Sequence, residues 1–382
     1  MTNKNYLILT AHDFRTASQA NMHFIARSLQ KKGQVYFFSL RFSFISFLKK
    51  DVRCQLKYKA NYIDSFENVY CFLWRTFIHP LSIPFRCLNF IERFISYVYH
   101  QYPHPVLVDW VIKSDYIIIE SGISCLFINS IKIMNPYAKL IYIASDLLQT
   151  IGASRSIFLS FHKYSHLIDK IIITSSKMRP FFSSKKPVIH IPHGIDSQIK
   201  QMDFTNPFVD GINAVSIGSM LFDSEFFAIA AHLFPGINFH IIGCGLHRWP
   251  NFPLNINVYD EMPFLETIRY IKYARFGIAP YIASRVHPYL ADTSMKLMYY
   301  DFFGLPSVCP SSVAEGYLTR FGYESNNPFS IFTAISAALS CSPCTGSAVI
   351  SWDEVVDQIL SFPPNQAAED DPGRTLSTAT SK

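Results

Sequence analysis

The chain alternates short apolar runs with amphipathic stretches of helical length, and it does so in two successive series. The first series holds residues 6–10, 35–40, 116–120, 140–144, 170–174 and 188–191, with a helix expected over 18–32 that carries Met22, Ile25, Ala26 and Leu29 on one face. The second begins near Asn213 with residues 214–217 and an expected helix over 223–234, and continues through 237–242, 256–259, 276–279 and 307–309. Apolar runs this short and this continuous suit strands buried on both faces, which parallel sheets flanked by helices provide. The expected fold is therefore α/β, with two Rossmann-like halves, an interdomain cleft and a junction at residues 192–212. A chain of 382 residues is also long enough for two such units. The expected boundaries are residues 1–200 and 201–364, followed by a polar, Asp-Asp-Pro-Gly-containing stretch at 365–382 expected to be a disordered tail.

Charge divides at the same place. Residues 1–200 carry 25 Lys/Arg against 11 Asp/Glu, a net of +14, and residues 201–382 carry 9 against 17, a net of −8. A basic first half suits an anionic partner such as a phosphate-bearing substrate, anionic lipid or nucleic acid, or else simply solubilises an aromatic surface. No nucleic-acid-binding motif accompanies the charge, so nucleic acid is not expected as a partner. Within this half, residues 37–59 and 72–102 interleave Phe, Tyr, Leu and Ile with Arg41, Lys49, Lys50, Arg53, Lys57, Lys59, Arg75, Arg86 and Arg93. That mixture fits a membrane interface, and equally fits core helices with solvated basic faces. The run at 6–10 is too short for the core of a secretory signal, and no stretch approaches 18 uncharged apolar residues, residues 116–134 being interrupted by Glu120 and Lys132. The eight cysteines are scattered, as expected in a reducing compartment, and the lone CxxC at Cys341 and Cys344 has no second pair to complete a metal or redox site.

Strand ends are where such sheets bind ligands, so chemistry is sought there. Asp146 follows the strand at 140–144 and is either a general base facing the cleft or the N-cap of the next helix. Gly218-Ser219-Met220 forms a strand-to-helix turn whose N–H groups suit a diphosphate, although any βα connection uses such a glycine. The densest segment runs from Asp292 to Val308, where Ser294 near a helix start and Lys296 suit phosphate and Gly304-Leu-Pro306 leads back into a strand. It resembles the nucleotide-sugar segment of GT-B glycosyltransferases, and Ile191-Pro-His-Gly-Ile-Asp196 resembles their hinge crossing, with His193 either functional or a turn residue. Many such enzymes hold the ribose with a glutamate where this chain has Tyr299. The cleft segments contain no Asp-x-Asp, the acids Asp260 and Glu261 being adjacent, so no metal and no cofactor is expected.

Longer strings carry a more specific resemblance. Ala11-His-Asp-Phe-Arg15, Phe38-Ser-Leu-Arg41, Glu120-Ser-Gly-Ile123, Ala144-Ser-Asp146, Val215 to Asp223, Ala274 to Tyr281, Ser294-Met-Lys296 and Tyr300 to Pro306 resemble the bacterial glucuronosyltransferases of xanthan- and acetan-type exopolysaccharide synthesis, over residues 6–323. The resemblance implies a metal-independent, inverting GT-B enzyme lying peripherally on the cytoplasmic face of the bacterial inner membrane. It implies transfer of glucuronate from UDP-glucuronate to the terminal mannose of a polyprenyl-diphosphate-linked oligosaccharide. It assigns Asp146 as base and Met220, Glu261, Tyr281, Ser294, Met295 and Lys296 as UDP-binding positions. Two positions depart from the family pattern: a UDP-contacting Gln is Tyr299 here, and an acceptor-side Glu is Phe181. A GT-B-type sugar-nucleotide epimerase, or a transferase using another UDP-sugar, is the alternative.

Overall fold

The computed structural model describes residues 4–17, 19–49, 51–82, 88–182, 187–245, 253–342, 346 and 349–362. Two sheets account for its strands. The first comprises β1 (Lys4–Thr10), β2 (Gly33–Ser43), β3 (Ile63–Phe66), β4 (Val69–Thr76), β5 (Tyr116–Glu120), β6 (Lys139–Ala144), β7 (Lys170–Ile173) and β8 (Val188–His190), in the order β3-β4-β2-β1-β5-β6-β7-β8. All neighbours are parallel except the β3–β4 hairpin. The second comprises β9 (Ile212–Ile217), β10 (Ile237–Ile242), β11 (Ile256–Tyr259), β12 (Phe276–Ile278), β13 (Ser307–Pro310) and β14 (Arg320–Tyr323), in the order β11-β10-β9-β12-β13-β14, parallel throughout. The α/β expectation of two Rossmann-like halves is met. Strand interiors such as Ile117–Ile119 and Leu140–Ala144 are buried on both faces, which is why they lack polar alternation.

The aromatic–basic stretches separate into two populations. Phe37, Phe38, Phe42, Phe72, Leu73 and Trp74 lie inside the first domain on β2 and β4. Helix Asn89–Gln101 is different: Glu92, Ser96 and Tyr99 face inward while Phe90, Phe94, Tyr97 and Val98 are exposed, Phe90 at 68% and Phe94 at 66%. Arg53 is not a surface cation. It is 5% exposed, paired with Asp51 at 2.7 Å, and donates to the Leu40 and Arg41 carbonyls. Lys50, Arg86 and Cys344, like the expected tail at 365–382, lie outside the described residues.

Helix Trp352–Leu360, grouped by sequence position with the second half, packs on the first sheet, where Trp352, Val355, Val356 and Ile359 join Phe24, Ile25 and Ile172. Trp352 stacks on Phe24 with ring centroids 5.1 Å apart. Buried Lys170 donates to the carbonyls of Gln358, Ile359 and Ser361, a cation placed at the helix's negative end. Gly194 explains the Pro-His-Gly crossing: a Cβ there would stand 2.8 Å from the Trp352 backbone nitrogen, so only glycine permits the approach. No helix among the described residues is long and apolar enough to cross a membrane.

Candidate active site

Beyond the β3–β4 edge hairpin, each sheet reverses its strand order at one place, β1 against β5 in the first and β9 against β12 in the second, and ligands in such sheets bind at these reversals. The two reversals face one cavity of about 420 Å³ lined by both halves. From the first come His12, Asn21, Glu120, Ser145, Asp146 and His193; from the second come Met220, Glu261, Ser294, Met295, Lys296 and Tyr299. Seven of the eight sequence-predicted site residues therefore line a single space. Tyr281 does not line it. It is fully buried behind Ser294, whose hydroxyl it meets at 2.5 Å. Phe181 is exposed at the end of the segment Ser176–Phe181 and lies outside the cavity lining.

The wall from the first sheet is hydrogen-bonded in two parts, one around Glu120 and one around Asp146. Glu120, ending β5, accepts from Thr10 Oγ1 at the end of β1 and from Ser145 Oγ at 2.8 Å, and Ser145 in turn accepts from Asn21 Nδ2 at 2.8 Å. Asp146 caps no helix, since the next begins after Ser154. Its backbone N–H donates to Ser121 Oγ at 3.2 Å and its carboxylate accepts from Tyr289 Oη at 3.1 Å. Burial raises the Asp146 pKa above the ordinary carboxylate value; the Tyr289 hydrogen bond opposes this, the Glu120 charge adds to it and His12 subtracts. His193 is buried and neutral, its pKa pushed down to about 4 by desolvation.

Sequence reasoning missed Tyr289. It comes from the second half yet packs in the first half's hydrophobic cluster, and its hydroxyl also meets Thr150 Oγ1 at 2.5 Å. Asp292 nearby accepts from Ser175 Oγ, lies 3.6 Å from Lys177 Nζ and accepts from Tyr317 Oη at 2.6 Å. Segment 287–293 thus latches the second half onto the first beside Asp146. The contact spans 143 positions of sequence, so no local pattern could announce it.

The opposite wall is built on helix Met295–Phe303, capped by Ser294 and ended by Gly304 at φ 67°. Its first turn holds no acid. The Lys296 ammonium is buried with no hydrogen-bond partner among the described residues, 5.1 Å from the Tyr281 ring centroid, and desolvation brings its pKa down to about 7. Tyr299 is buried against Phe264, its hydroxyl also without a partner. The turn after β9 is a weaker anion cradle than its glycine suggested. Gly218 N–H is already bonded to the Ile242 carbonyl at 2.8 Å, and Asp223 caps the following helix, placing a carboxylate at the positive helix end. His162 and His166 stand four apart, yet no group of three potential metal ligands forms among the described residues.

Comparison with known proteins adds to this geometry. Residues 8–174 match the family model described as glucuronosyltransferase GumK, N-terminal domain. The UDP-glucuronate:glycolipid 2-beta-glucuronosyltransferase of Xanthomonas campestris pv. campestris is 44% identical over 355 residues, covering 93% of this chain and 89% of that protein. Among solved structures, the kitacinnamycin glycotransferase aligns with a TM-score of 0.51 at 9% identity, covering 94% of each chain. A UDP-forming α,α-trehalose-phosphate synthase from Burkholderia xenovorans aligns with a TM-score of 0.54 at 10% identity, covering 94% of this chain and 95% of that one. At such identities these two structures bear on the fold, which is that of the GT-B glycosyltransferases.

Proposed function

The chain belongs to the GumK glucuronosyltransferase family, and on that premise we propose that it transfers glucuronate from UDP-glucuronate to the terminal mannose of a polyprenyl-diphosphate-linked oligosaccharide, by direct displacement with inversion. The observation that carries this reading is the pairing across one cavity of a carboxylate with a raised pKa and a buried, unpartnered ammonium.

An acceptor hydroxyl is a poor nucleophile until its proton is removed. Asp146 takes that proton as the oxygen attacks the anomeric carbon from the face opposite the leaving UDP. Its raised pKa brings it closer to the working pH and makes it a stronger base than an ordinary carboxylate. Negative charge grows on the departing diphosphate, where Lys296, the Ser294 hydroxyl and the free N–H groups of helix Met295–Phe303 stabilise it. Met220, Glu261 and Met295 border the nucleotide, Tyr299 takes the ribose-side position, and Tyr281 acts indirectly by orienting the Ser294 hydroxyl. Latching of segment 287–293 brings the walls together and excludes water that would hydrolyse the donor. Incubation with a panel of UDP-sugars and a lipid-linked mannosyl trisaccharide tests the reading. A β-glucuronide product formed only from UDP-glucuronate is expected; donor epimerisation without acceptor consumption would replace it with the epimerase alternative.

The same reading places the enzyme peripherally on the anionic cytoplasmic face of the inner membrane. The exposed ring face of helix Asn89–Gln101, on a half of net charge +14, supports this. Replacing Phe90 and Phe94 together by Ser should release the protein from anionic vesicles in co-sedimentation. Unchanged binding would remove this helix from the interface.

A further inference from the structure

A second cavity, of about 450 Å³, adjoins the first and shares His12, Ala20, Ser219 and Glu261 with it. Its wall carries Arg41, Lys49 and Arg53 against Asp13, Asp51 and Glu261, but its ion pairs leave the cations the less answered. Asp13 and Asp51 on its wall are each matched by an arginine, Arg15 at 2.8 Å and Arg53 at 2.7 Å. Arg41 and Lys49, also on the wall, have no ion-pair partner among the described residues, and Glu261 is the remaining acid. The effect is felt by a neighbour: His79, buried in this wall, has its pKa brought down to about 4 by desolvation and then by the positive charges of Arg41, Arg53 and Lys49.

Arg41 is held in place by unusual means. It sits where the pairing of β2 with β4 shifts register between Ser39 and Phe42, and its φ is 62°, in the left-handed region that residues with a Cβ rarely adopt. Three bonds fix it there. Its N–H donates to Tyr99 Oη at 3.0 Å, and its carbonyl accepts from Arg53 Nη2 at 2.9 Å and Ser46 Oγ at 3.4 Å. These bonds hold the Arg41 backbone, so the point from which its side chain leaves the cavity wall is fixed. Beyond it, Phe44, Leu48 and Val52 are exposed, on the segment that supplies Ser46 and Lys49 to the wall.

We propose that this cavity binds the phosphate or diphosphate ester by which the acceptor lipid carries its sugar, with Arg41 and Lys49 as its counter-charges and the lipid chain leaving over Phe44, Leu48 and Val52. The sugar then reaches Asp146 through the shared His12–Glu261 boundary. This rests on the reading of the acceptor as a glycolipid, and it names the site that would select it.

The test measures binding rather than turnover, so its failure is distinct from failure of the transferase reading. Farnesyl diphosphate, farnesol and inorganic diphosphate are titrated into the full chain with the donor site saturated by UDP. Arg41→Gln and Lys49→Gln should each weaken farnesyl diphosphate binding about tenfold, as expected for loss of one charge-assisted contact, leaving farnesol and UDP affinities unchanged. Inorganic diphosphate should bind more weakly than the farnesyl ester. The Lys49 side chain makes no hydrogen bond or ion pair among the described residues, so its variant decides the matter if the Arg41 variant misfolds. Farnesyl diphosphate binding insensitive to both substitutions would overturn the proposal. So would inorganic diphosphate binding as tightly as the ester, which would mark a free-anion site. An equal loss of binding to plain phosphatidylglycerol vesicles would assign the cations to bilayer headgroups instead and overturn it as well.

Discussion

The wall of the cleft supplied by β1, β5 and β6 and the wall supplied by helix Met295–Phe303 meet across one cavity but satisfy their polar groups differently. On the first, Thr10, Asn21, Glu120, Ser145 and Asp146 are all hydrogen-bonded within the chain. On the second, the Lys296 ammonium and the Tyr299 hydroxyl are buried and unpartnered among the described residues. Bringing a lysine pKa from 10.5 to about 7 disfavours its charged form by an amount on the order of 5 kcal/mol. A wall whose polar groups are all answered within the chain, Asp146 by Tyr289 of the second half, keeps its geometry without a ligand. A wall that leaves a cation unanswered recovers the desolvation cost only when an anion arrives, which is how a leaving-group site gains affinity.

The contrast can be broken at several points. The largest effect is expected from Asp146→Asn, which should lower transfer by roughly 10²–10⁴-fold while UDP titration remains normal, because the base is lost and the opposite wall is untouched. Near-normal turnover would take Asp146 out of the mechanism. Lys296→Met should weaken UDP binding by roughly 10–100-fold, the worth of a charge-assisted contact in a buried site. It should also flatten a pH dependence. With a free-state pKa of about 7 that bound diphosphate raises, wild-type UDP affinity is highest below pH 7, falls as pH rises beyond it, and levels off above the bound-state pKa. Calorimetry of both proteins between pH 6 and 9 measures this, and parallel curves would contradict it.

Tyr289→Phe sharpens the comparison from the other side. It keeps the ring packed and removes the hydroxyl that lowers the Asp146 pKa, so the acid limb of the kcat profile should move to higher pH and kcat should fall roughly tenfold. A uniform loss without displacement of that limb would mean that Tyr289 serves packing alone. The smallest effect is expected from EDTA. On the proposal that Lys296 answers the leaving-group charge, chelation should leave the rate unchanged, and loss of activity restored by Mg²⁺ or Mn²⁺ would refute that assignment.

The sequence made much of this architecture legible because parallel strands buried on both faces leave short, uninterrupted apolar runs. The same property hid β4. Val69–Thr76 has the same character, but with Arg75 at its end and aromatic neighbours it merges in the sequence with the aromatic–basic stretch at 72–102. β3 and β14 lack the continuous apolar run, Ile63–Phe66 holding Asp64 and Ser65 and lying mostly exposed, and Arg320–Tyr323 holding an arginine and a glycine. Arg53 carried a local clue, Asp51 two residues before it, which pairs with it and caps the turn. On the cleft, Asp146, Ser294 and Lys296 stood out because they adjoin strand and helix ends. Tyr289 and the Thr10–Glu120–Ser145–Asn21 network did not, since they exist only once distant strand ends are adjacent in space.

The docking of helix Trp352–Leu360 on the first sheet carries a mechanical consequence. The chain passes between the two halves near Ile195 and returns near Ile350, and these passages lie side by side, Ile195 N–H donating to the Ile350 carbonyl at 2.9 Å. A single tether would act as a ball joint, leaving one body free to swivel and twist against the other. Two parallel tethers act as a door hinge, with one soft rotation and the others stiff. Opening and closing about such a hinge would return Lys296 to the same angular position opposite Asp146, so the alignment of the two walls of the cavity would be inherited from the joint rather than searched for anew.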